Sequence, residues 1–154
     1  MLIDCHVHAV MEKTIPASNG RHFSTPDELV GQLDADGIDM ACVLPLVSPE
    51  ARQEAPTSEE VLKVCAVHPD RLIPFCNVDP RAESNSATAD FTRHFDFYTE
   101  AGCKGVGEVT ANLNFDDPMV WNMLRHCADY NLPVIFHIST KLGYAYGLVD
   151  ELGL

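Results

Sequence analysis

Basic residues are scarce in this chain. Its 154 residues include 10 lysines and arginines against 23 aspartates and glutamates, which gives a formal net charge of −13. Such a surface repels the phosphates of nucleic acids and the head groups of anionic lipids. We therefore expect neither nucleic acid nor a membrane surface as a partner.

Long apolar runs are also absent. No stretch approaches the roughly 20 apolar residues that cross a bilayer, and the first residues lack the basic segment followed by an apolar segment that marks a secretory signal. We therefore expect a cytoplasmic protein. With 46% hydrophobic and 21% charged residues, the composition is that of an ordinary globular domain with its own core.

The cysteines lack any C-x-x-C spacing and are scattered through apolar segments. They are Cys5, Cys42, Cys65, Cys76, Cys103 and Cys127. Thiols stay reduced in the cytoplasm, and a buried cysteine behaves as a small hydrophobic residue. The pattern predicts core packing rather than disulfides or a catalytic thiol.

The remaining pattern alternates strands and helices. Strands are predicted at 2–8, 40–46, 72–78, 104–110 and 133–139, and helices at 25–36, 58–67, 85–100 and 117–130, with a fifth helix near Leu148. The strand starts recur about every 30 residues, which is typical of β-α units in a parallel sheet covered by helices. No glycine-rich phosphate loop follows the first strand, which favours a (β/α) barrel over a nucleotide-binding doubly wound sheet.

The first strand contains a His-x-His pair, His6 and His8. Side chains alternate along a strand, so both histidines are expected on one face together with Asp4, while Cys5 and Val7 point to the other face. Two neutral imidazoles side by side provide half of a site for zinc or a similar ion. The alternative is a pair of histidines on an ordinary half-buried strand.

Two further polar residues end apolar strands: Glu108 in the fourth and His137 in the fifth. The carboxyl ends of parallel strands meet at one edge, where α/β proteins place their chemistry. A charge in such a run is costly unless it is paired or binds a metal. We therefore predict that His6, His8, Glu108 and His137 form a divalent-metal site, although a histidine such as His137, taken alone, is more often a hydrogen-bonded core residue than a ligand.

Gly105 and Gly107 precede Glu108 in the predicted fourth strand. They permit either close packing or space beside a ligand. Three other residues lie at the same end of the predicted sheet and are candidates for substrate binding. They are His22 and Arg52, in the loops after the first and second strands, and Asn77, at the end of the third. Arg52 would pair with a substrate carboxylate, although most loop arginines are simply solvated.

Three segments resemble the amidohydrolase-related (amidohydrolase 2) metal-dependent hydrolases: IDCHVH at 3–8, GVGEV at 105–109 and PVIFH at 133–137. The similarity is strongest to the branch that contains aminocarboxymuconate-semialdehyde decarboxylase. The segment 146–154, YGLVDELGL, also resembles that branch after its fifth strand. The resemblance covers the whole chain, and its motifs occur in the family's order.

The resemblance implies a (β/α)8 TIM barrel, of which residues 1–154 would form the N-terminal portion of a single domain: five β-α units of an incomplete barrel. It implies that His6, His8 and His137 bind one divalent metal, with zinc as first choice, and that Glu108 is a further ligand or an acid in the pocket. The family's further histidine near strand six, and the strand-eight aspartate that accepts a proton from metal-bound water, would lie beyond Leu154.

The resulting functional hypothesis is a metal-dependent hydrolase that attacks a small organic substrate with metal-activated water. Within this chain Glu108 is the candidate catalytic proton acceptor. The alternatives are a decarboxylase of the same family, a metal-dependent phosphoesterase or deoxyribonuclease, and a non-catalytic truncated barrel. Open strand edges pair with other chains, so we expect either a homo-oligomer or a missing C-terminal half.

Overall fold

The computed structural model describes residues 1–16, 19–51 and 56–150. Within these ranges the elements follow in the order β1 (Ile3–Val7), α1 (Pro26–Asp36), β2 (Met40–Val43), α2 (Ser58–Val67), β3 (Leu72–Pro74), α3 (Thr92–Glu100), β4 (Val106–Val109), α4 (Pro118–Asp129), β5 (Val134–Phe136), β6 (Ile138–Ser139) and β7 (Leu148–Val149). No helix in these ranges is both long and apolar enough to cross a membrane.

The strands that pair are all parallel. β1, β2 and β3 form one sheet in that order, β4 pairs with β5, and β6 pairs with β7. An isolated parallel bridge between Cys76 and Val106 links the end of β3 to β4. The predicted alternating α/β fold with parallel strands is therefore confirmed, and the carboxyl ends of neighbouring strands lie along one edge.

The helices cover one face of the strands. One buried cluster joins α1 and α2 to β1, β2 and β3; it includes Leu29, Leu33, Ala41, Val43, Val61 and Val64. A second cluster joins α3 and α4 to β4; it includes Phe91, Phe95, Val106, Val109, Val120 and Met123. Burial of these side chains holds the helices in place, since each large apolar side chain removed from water contributes about 1.5–3 kcal/mol.

The opposite face of the strands carries a smaller apolar cluster. Cys42 and Leu44 pack there against Phe75, with Ile73 and Ile135 beside them. Along β2 these residues alternate with Ala41 and Val43, which face the helices. This strand is therefore buried on both faces, as its continuous apolar run predicted.

Side chains cap the N-terminal ends of helices α1 and α4. The Glu28 carboxylate accepts a hydrogen bond of 3.0 Å from the backbone N–H of Thr25, and Pro26 is the first residue of α1. Asp117 accepts a hydrogen bond of 2.8 Å from the backbone N–H of Met119 at the start of α4. These contacts satisfy N–H groups that have no partner inside a helix, and both starts were predicted.

The third helix begins later than predicted, at Thr92 rather than at residue 85. Polar side chains in the preceding segment bond to nearby backbone instead. The Ser86 hydroxyl accepts from the N–H of Thr88 at 3.3 Å, and Asp90 accepts from the N–H of Thr92 at 2.9 Å. Such local hydrogen bonds compete with helix formation, which the apolar periodicity of this segment does not reveal.

The predicted fifth helix near Leu148 is wrong within the described residues. Leu148–Val149 forms strand β7, which pairs in parallel with Ile138–Ser139. The Leu148 N–H donates to the carbonyl of His137 at 2.7 Å, and both strand residues are buried. Strand pairing with β6 takes the place of the helical turn that the sequence predicted, and residues 151–154 lie outside the described residues.

The cysteines behave largely as predicted. All six are free thiols, and five of them are buried among apolar side chains. Cys5, on β1, is exposed instead. The prediction of core packing is therefore confirmed for five residues and wrong for Cys5.

Helix α3 offers a matched test of the core. Phe95 is fully buried, whereas Phe97 on the same helix is 55% exposed. We expect Phe95→Ala to lower the free energy of unfolding by about 3–5 kcal/mol, because it removes buried apolar surface and leaves a cavity. Phe97→Ala should cost less than about 1 kcal/mol. Urea denaturation of both variants measures the difference, and equal losses would contradict the assigned core.

Candidate metal centre

Three histidines converge on the carboxylate of Glu108. The Nε2 atoms of His6 and His8 lie 3.0 Å and 3.2 Å from Glu108 Oε2, and 3.2 Å from each other. The Nδ1 atom of His137 lies 2.7 Å from the other oxygen, Oε1. The four residues predicted from the strand ends therefore meet, although 102 positions separate His6 from Glu108.

A register shift in β1 lies next to the histidine pair. β1 pairs Asp4 with Ala41 and Val7 with Val43, so one extra residue lies on β1 between these pairs. Ala41 and Val43 face the helices, and the shift interrupts the strict alternation that the sequence suggested. Asp4 accepts a hydrogen bond of 2.9 Å from the backbone N–H of His6. Asp4 thus supports the strand backbone at the shift.

The ring of His8 is oriented by a backbone carbonyl. Its Nδ1 lies 2.8 Å from the carbonyl oxygen of Leu44. A carbonyl only accepts hydrogen bonds, so Nδ1 carries the proton, and in the neutral ring Nε2 is left with a free lone pair. That lone pair faces Glu108 Oε2 at 3.2 Å. Two acceptors at this distance require a proton or a cation between them.

The Glu108 carboxylate is ionised across the physiological range. Its side chain is 4% exposed, and burial by itself would raise its pKa. Hydrogen bonds from a protonated His8 and from His137, together with the positive charge that His6 and His8 carry when protonated, act in the opposite direction and hold the pKa at about 2. The cluster therefore offers a full negative charge to whatever binds beside it.

The donor set fits a divalent metal. Ligand atoms of His6, His8 and Glu108 all lie within 4.8 Å of one another. The edges of the triangle formed by the two Nε2 atoms and Oε2 match the spacing of roughly 3.3 Å between neighbouring ligands of a tetrahedral zinc ion. Imidazole nitrogen and carboxylate oxygen suit zinc and manganese. His137 lies outside this triangle and holds the second carboxylate oxygen.

The backbone of Glu108 is fixed on both sides. Its N–H donates to the carbonyl of Pro45 at 3.0 Å. Its carbonyl accepts from the side-chain Nδ2 of Asn77 at 2.6 Å. Asn77 was a candidate for substrate binding, and the structure brings it against the main chain of Glu108.

The glycines beside Glu108 are explained by packing. Gly107 has φ +142°, and a Cβ there would lie 2.4 Å from the carbonyl oxygen of Ile135. A Cβ on Gly105 would lie 2.3 Å from the ring of Phe75. Of the two alternatives left open by the sequence, close packing is the one supported, since neighbouring strands and side chains occupy the space that a larger residue would need.

His22 does not join the described cluster. The exposed His22 lines a separate groove of about 470 Å³ between the loop after β1 and helix α1, together with Lys13 and Glu28. Its neighbour Phe23 places its ring 5.5 Å from that of His8. Arg52 lies outside the described residues.

Sequence reasoning missed an arginine clamp at the same end of the sheet. Arg81 Nη2 lies 2.7 Å from Glu50 Oε2, and its Nε lies 2.8 Å from Asp79 Oδ1. Asp79 Oδ1 also accepts from the backbone N–H of Arg81 at 2.8 Å. The clamp ties the loop after β2 to the loop after β3. Opposite charges at positions 79 and 81 were a local signal, but nothing in the sequence pointed to Glu50.

Tyr146 also lies beside the cluster and was not proposed from its position. Its ring centroid is 4.6 Å from that of His137. Gly147, the next residue, approaches so closely that a Cβ would lie 2.6 Å from His137 Cδ2. These contacts confine the imidazole of His137.

Comparison with known proteins supports the fold. No protein-family model matches the chain, and no curated protein matches it significantly. Solved structures that are similar include 5-carboxyvanillate decarboxylase from Novosphingobium aromaticivorans with bound manganese (TM-score 0.65, 19% identity, 92% of this chain and 51% of that chain). 2,6-Dihydroxybenzoate decarboxylase from Rhizobium gives a TM-score of 0.60 with 16% identity, over 92% of this chain and 51% of that one.

A third similar structure is a probable 2-pyrone-4,6-dicarboxylic acid hydrolase from Acinetobacter baumannii with citric acid bound (TM-score 0.56, 16% identity, 90% of this chain and 49% of that chain). The neighbours are amidohydrolase-related enzymes, the family that the sequence motifs resemble. At these identities the likeness shows the fold: an α/β arrangement of parallel strands found in part of a TIM barrel. The chain spans about half the length of the solved structures that it matches.

The tight contact at Gly107 gives a matched pair of substitutions. We expect Gly107→Ala to lower the free energy of unfolding by about 1–3 kcal/mol, because the new methyl group meets the backbone of Ile135. Gly31→Ala in helix α1 meets nothing within 4 Å and should raise it by about 0.5–1 kcal/mol. Urea denaturation measures both changes. A Gly107→Ala protein as stable as the parent would contradict the strand packing around Glu108.

Proposed function

We propose that this chain carries the metal centre of a metal-dependent hydrolase of the amidohydrolase superfamily, which acts on a small organic substrate. His6, His8 and Glu108 are the proposed first ligands of one divalent metal. His137 is the proposed fourth donor, and in the present arrangement it orients the carboxylate through Oε1.

One observation carries this proposal: the two Nε2 atoms and Glu108 Oε2 form a triangle with edges of 3.0, 3.2 and 3.2 Å. A divalent cation satisfies all three groups at once, because each offers an electron pair to the same point.

Each residue has a distinct part in the proposed chemistry. A bound divalent ion supplies a Lewis acid and a water molecule of lowered pKa. The Nδ1–H of His8 donates a hydrogen bond to the carbonyl of Leu44, so the Nε2 of the neutral ring stays available as a metal ligand. Glu108 stays charged because its pKa is about 2, which suits a ligand better than a proton acceptor at neutral pH.

Zinc is the proposed metal, and manganese is the main competitor. Two imidazoles and a carboxylate are a common zinc donor set, whereas the decarboxylase from Novosphingobium aromaticivorans contains manganese. His22 and Arg52 are proposed to contact the substrate from the loops after β1 and β2, with Arg52 pairing a substrate carboxylate.

Decarboxylation is the second candidate function. It is favoured by the similar structures, among which are a 5-carboxyvanillate decarboxylase and a 2,6-dihydroxybenzoate decarboxylase. The same metal centre would stabilise negative charge that develops on an aromatic acid as carbon dioxide leaves. Hydrolysis and decarboxylation therefore share one site and differ in the substrate.

Metal binding is the first test. The chain, stripped with a chelator and dialysed, should bind one equivalent of Zn²⁺ in a calorimetric titration. His6→Ala and His8→Ala should each weaken binding at least about 100-fold, because each removes a ligand. His68→Ala is the control, since His68 also contacts a carboxylate, that of Asp27, at 2.7 Å, but on the helix side. Absence of stoichiometric metal, or binding unaffected by His6→Ala, would refute the site.

The reaction is tested on the metal-loaded chain with two substrate classes. We expect the chain to hydrolyse a lactone dicarboxylate, which is measured as the loss of the ring absorbance of the substrate. We expect His6→Ala to abolish this hydrolysis. Release of carbon dioxide from a hydroxylated aromatic carboxylate would instead favour the second candidate. If neither reaction occurs in a protein that binds metal, both catalytic proposals fail and the metal centre alone stands.

A further inference from the structure

We infer that Asn77 is a positioning residue for the metal centre. Its side chain holds the main chain of Glu108 in place, and it does not act by touching substrate. The inference rests on the proposed function, because the site that it positions is the proposed metal centre. It replaces the substrate-binding role that the location of Asn77 at the end of the third strand suggested.

The side chain of Asn77 contacts the main chain of Glu108. Asn77 Nδ2 donates to the carbonyl oxygen of Glu108 at 2.6 Å, and Asn77 is 3% exposed. The Glu108 side chain in turn meets His6, His8 and His137. A movement of this carbonyl would displace the carboxylate on which the three imidazoles converge.

Ser58 holds the backbone of Asn77 in place. Ser58, the first residue of α2, is buried and contacts the Asn77 backbone twice. The Asn77 N–H donates to Ser58 Oγ at 2.9 Å, and the same hydroxyl donates to the Asn77 carbonyl at 3.2 Å. The start of helix α2 is therefore connected through Ser58 and Asn77 to the backbone of Glu108, so the outer helix layer fixes the position of the centre.

The side-chain oxygen of Asn77 lacks a hydrogen-bond partner among the described residues. Asn77 Oδ1 is buried and has no hydrogen-bond partner in the described part of the chain. Leaving a buried acceptor unpaired is unfavourable, so stability alone does not account for asparagine here. We attribute the asparagine at this position to its other amide atom, the Nδ2 that donates to the Glu108 carbonyl. Outer partners of this kind orient metal ligands, and their loss typically weakens metal binding about 10-fold to 100-fold.

Asn122 supplies a matched control. Its Nδ2 donates to the carbonyl of Ala89 at 2.8 Å, and it is 8% exposed. It therefore makes the same kind of buried amide-to-carbonyl bond as Asn77, but on helix α4 and against a residue outside the centre. A merely structural role for Asn77 predicts that the two substitutions behave alike.

The experiment compares Asn77→Leu with Asn122→Leu in the full chain by three measurements. These are the melting temperature, the affinity for Zn²⁺ and, at a single pH, the ¹⁵N imidazole resonances of the metal-free protein. We expect both variants to lose thermal stability. Asn77→Leu alone should weaken Zn²⁺ binding about 10-fold to 100-fold and shift the resonances of His6, His8 and His137.

Unchanged affinity and unchanged imidazole resonances in Asn77→Leu would overturn the inference, and so would equal effects from Asn122→Leu. A defect seen in substrate turnover alone would also overturn it and restore the substrate-binding role. If the parent chain binds no Zn²⁺, the proposed function fails, while the metal-free resonances still decide whether Asn77 positions the histidine cluster.

Two milder variants keep the test decisive if Asn77→Leu does not fold. Asn77→Asp preserves the shape but replaces the Nδ2 donor with an oxygen that repels the Glu108 carbonyl. Ser58→Ala removes the hydroxyl that holds the Asn77 backbone. Both should shift the same imidazole resonances and weaken Zn²⁺ binding, with the smaller effect from Ser58→Ala because its contact is one step further away. Normal behaviour of both variants would refute the inference.

Discussion

The buried charge of Glu108 is the constraint on which the rest of the molecule depends. An ionised carboxylate inside a protein is strongly unfavourable unless charged or hydrogen-bonding groups surround it. Three imidazoles from two other strand ends surround this one. They arrive together because β1, β4 and the segment after β5 run in the same direction, and the helices packed on the far side keep those strands aligned.

The sequence was informative about the centre because apolar strands make their polar exceptions visible. His6, His8, Glu108 and His137 each end such a run, and parallel strands bring equivalent ends together. This inference requires knowing that the strands are parallel, but it does not require knowing any individual side-chain contact. The register shift at Asp4 was not predictable in the same way, because local periodicity does not reveal how distant strands pair.

Contacts made through the main chain were also beyond sequence reasoning. The carbonyls of Leu44, Pro45 and Glu108 take part in fixing the centre, yet every residue has a carbonyl, so residue type gives no indication of it. The start of α3 and the strand at Leu148–Val149 were misassigned for a related reason. In both segments, hydrogen bonds to particular backbone groups outweighed the apolar pattern.

The bond between His8 and the carbonyl of Leu44 bears on how this centre tolerates sequence change. The proton on His8 is placed by a group that every amino acid carries, so position 44 is free to drift among apolar residues without altering the protonation pattern of the ring. Position 45 has the same freedom as a partner of the Glu108 N–H. Sequence divergence would therefore be wide at positions 44 and 45 and narrow at the ligands and at residues that act through their side chains, such as Asn77.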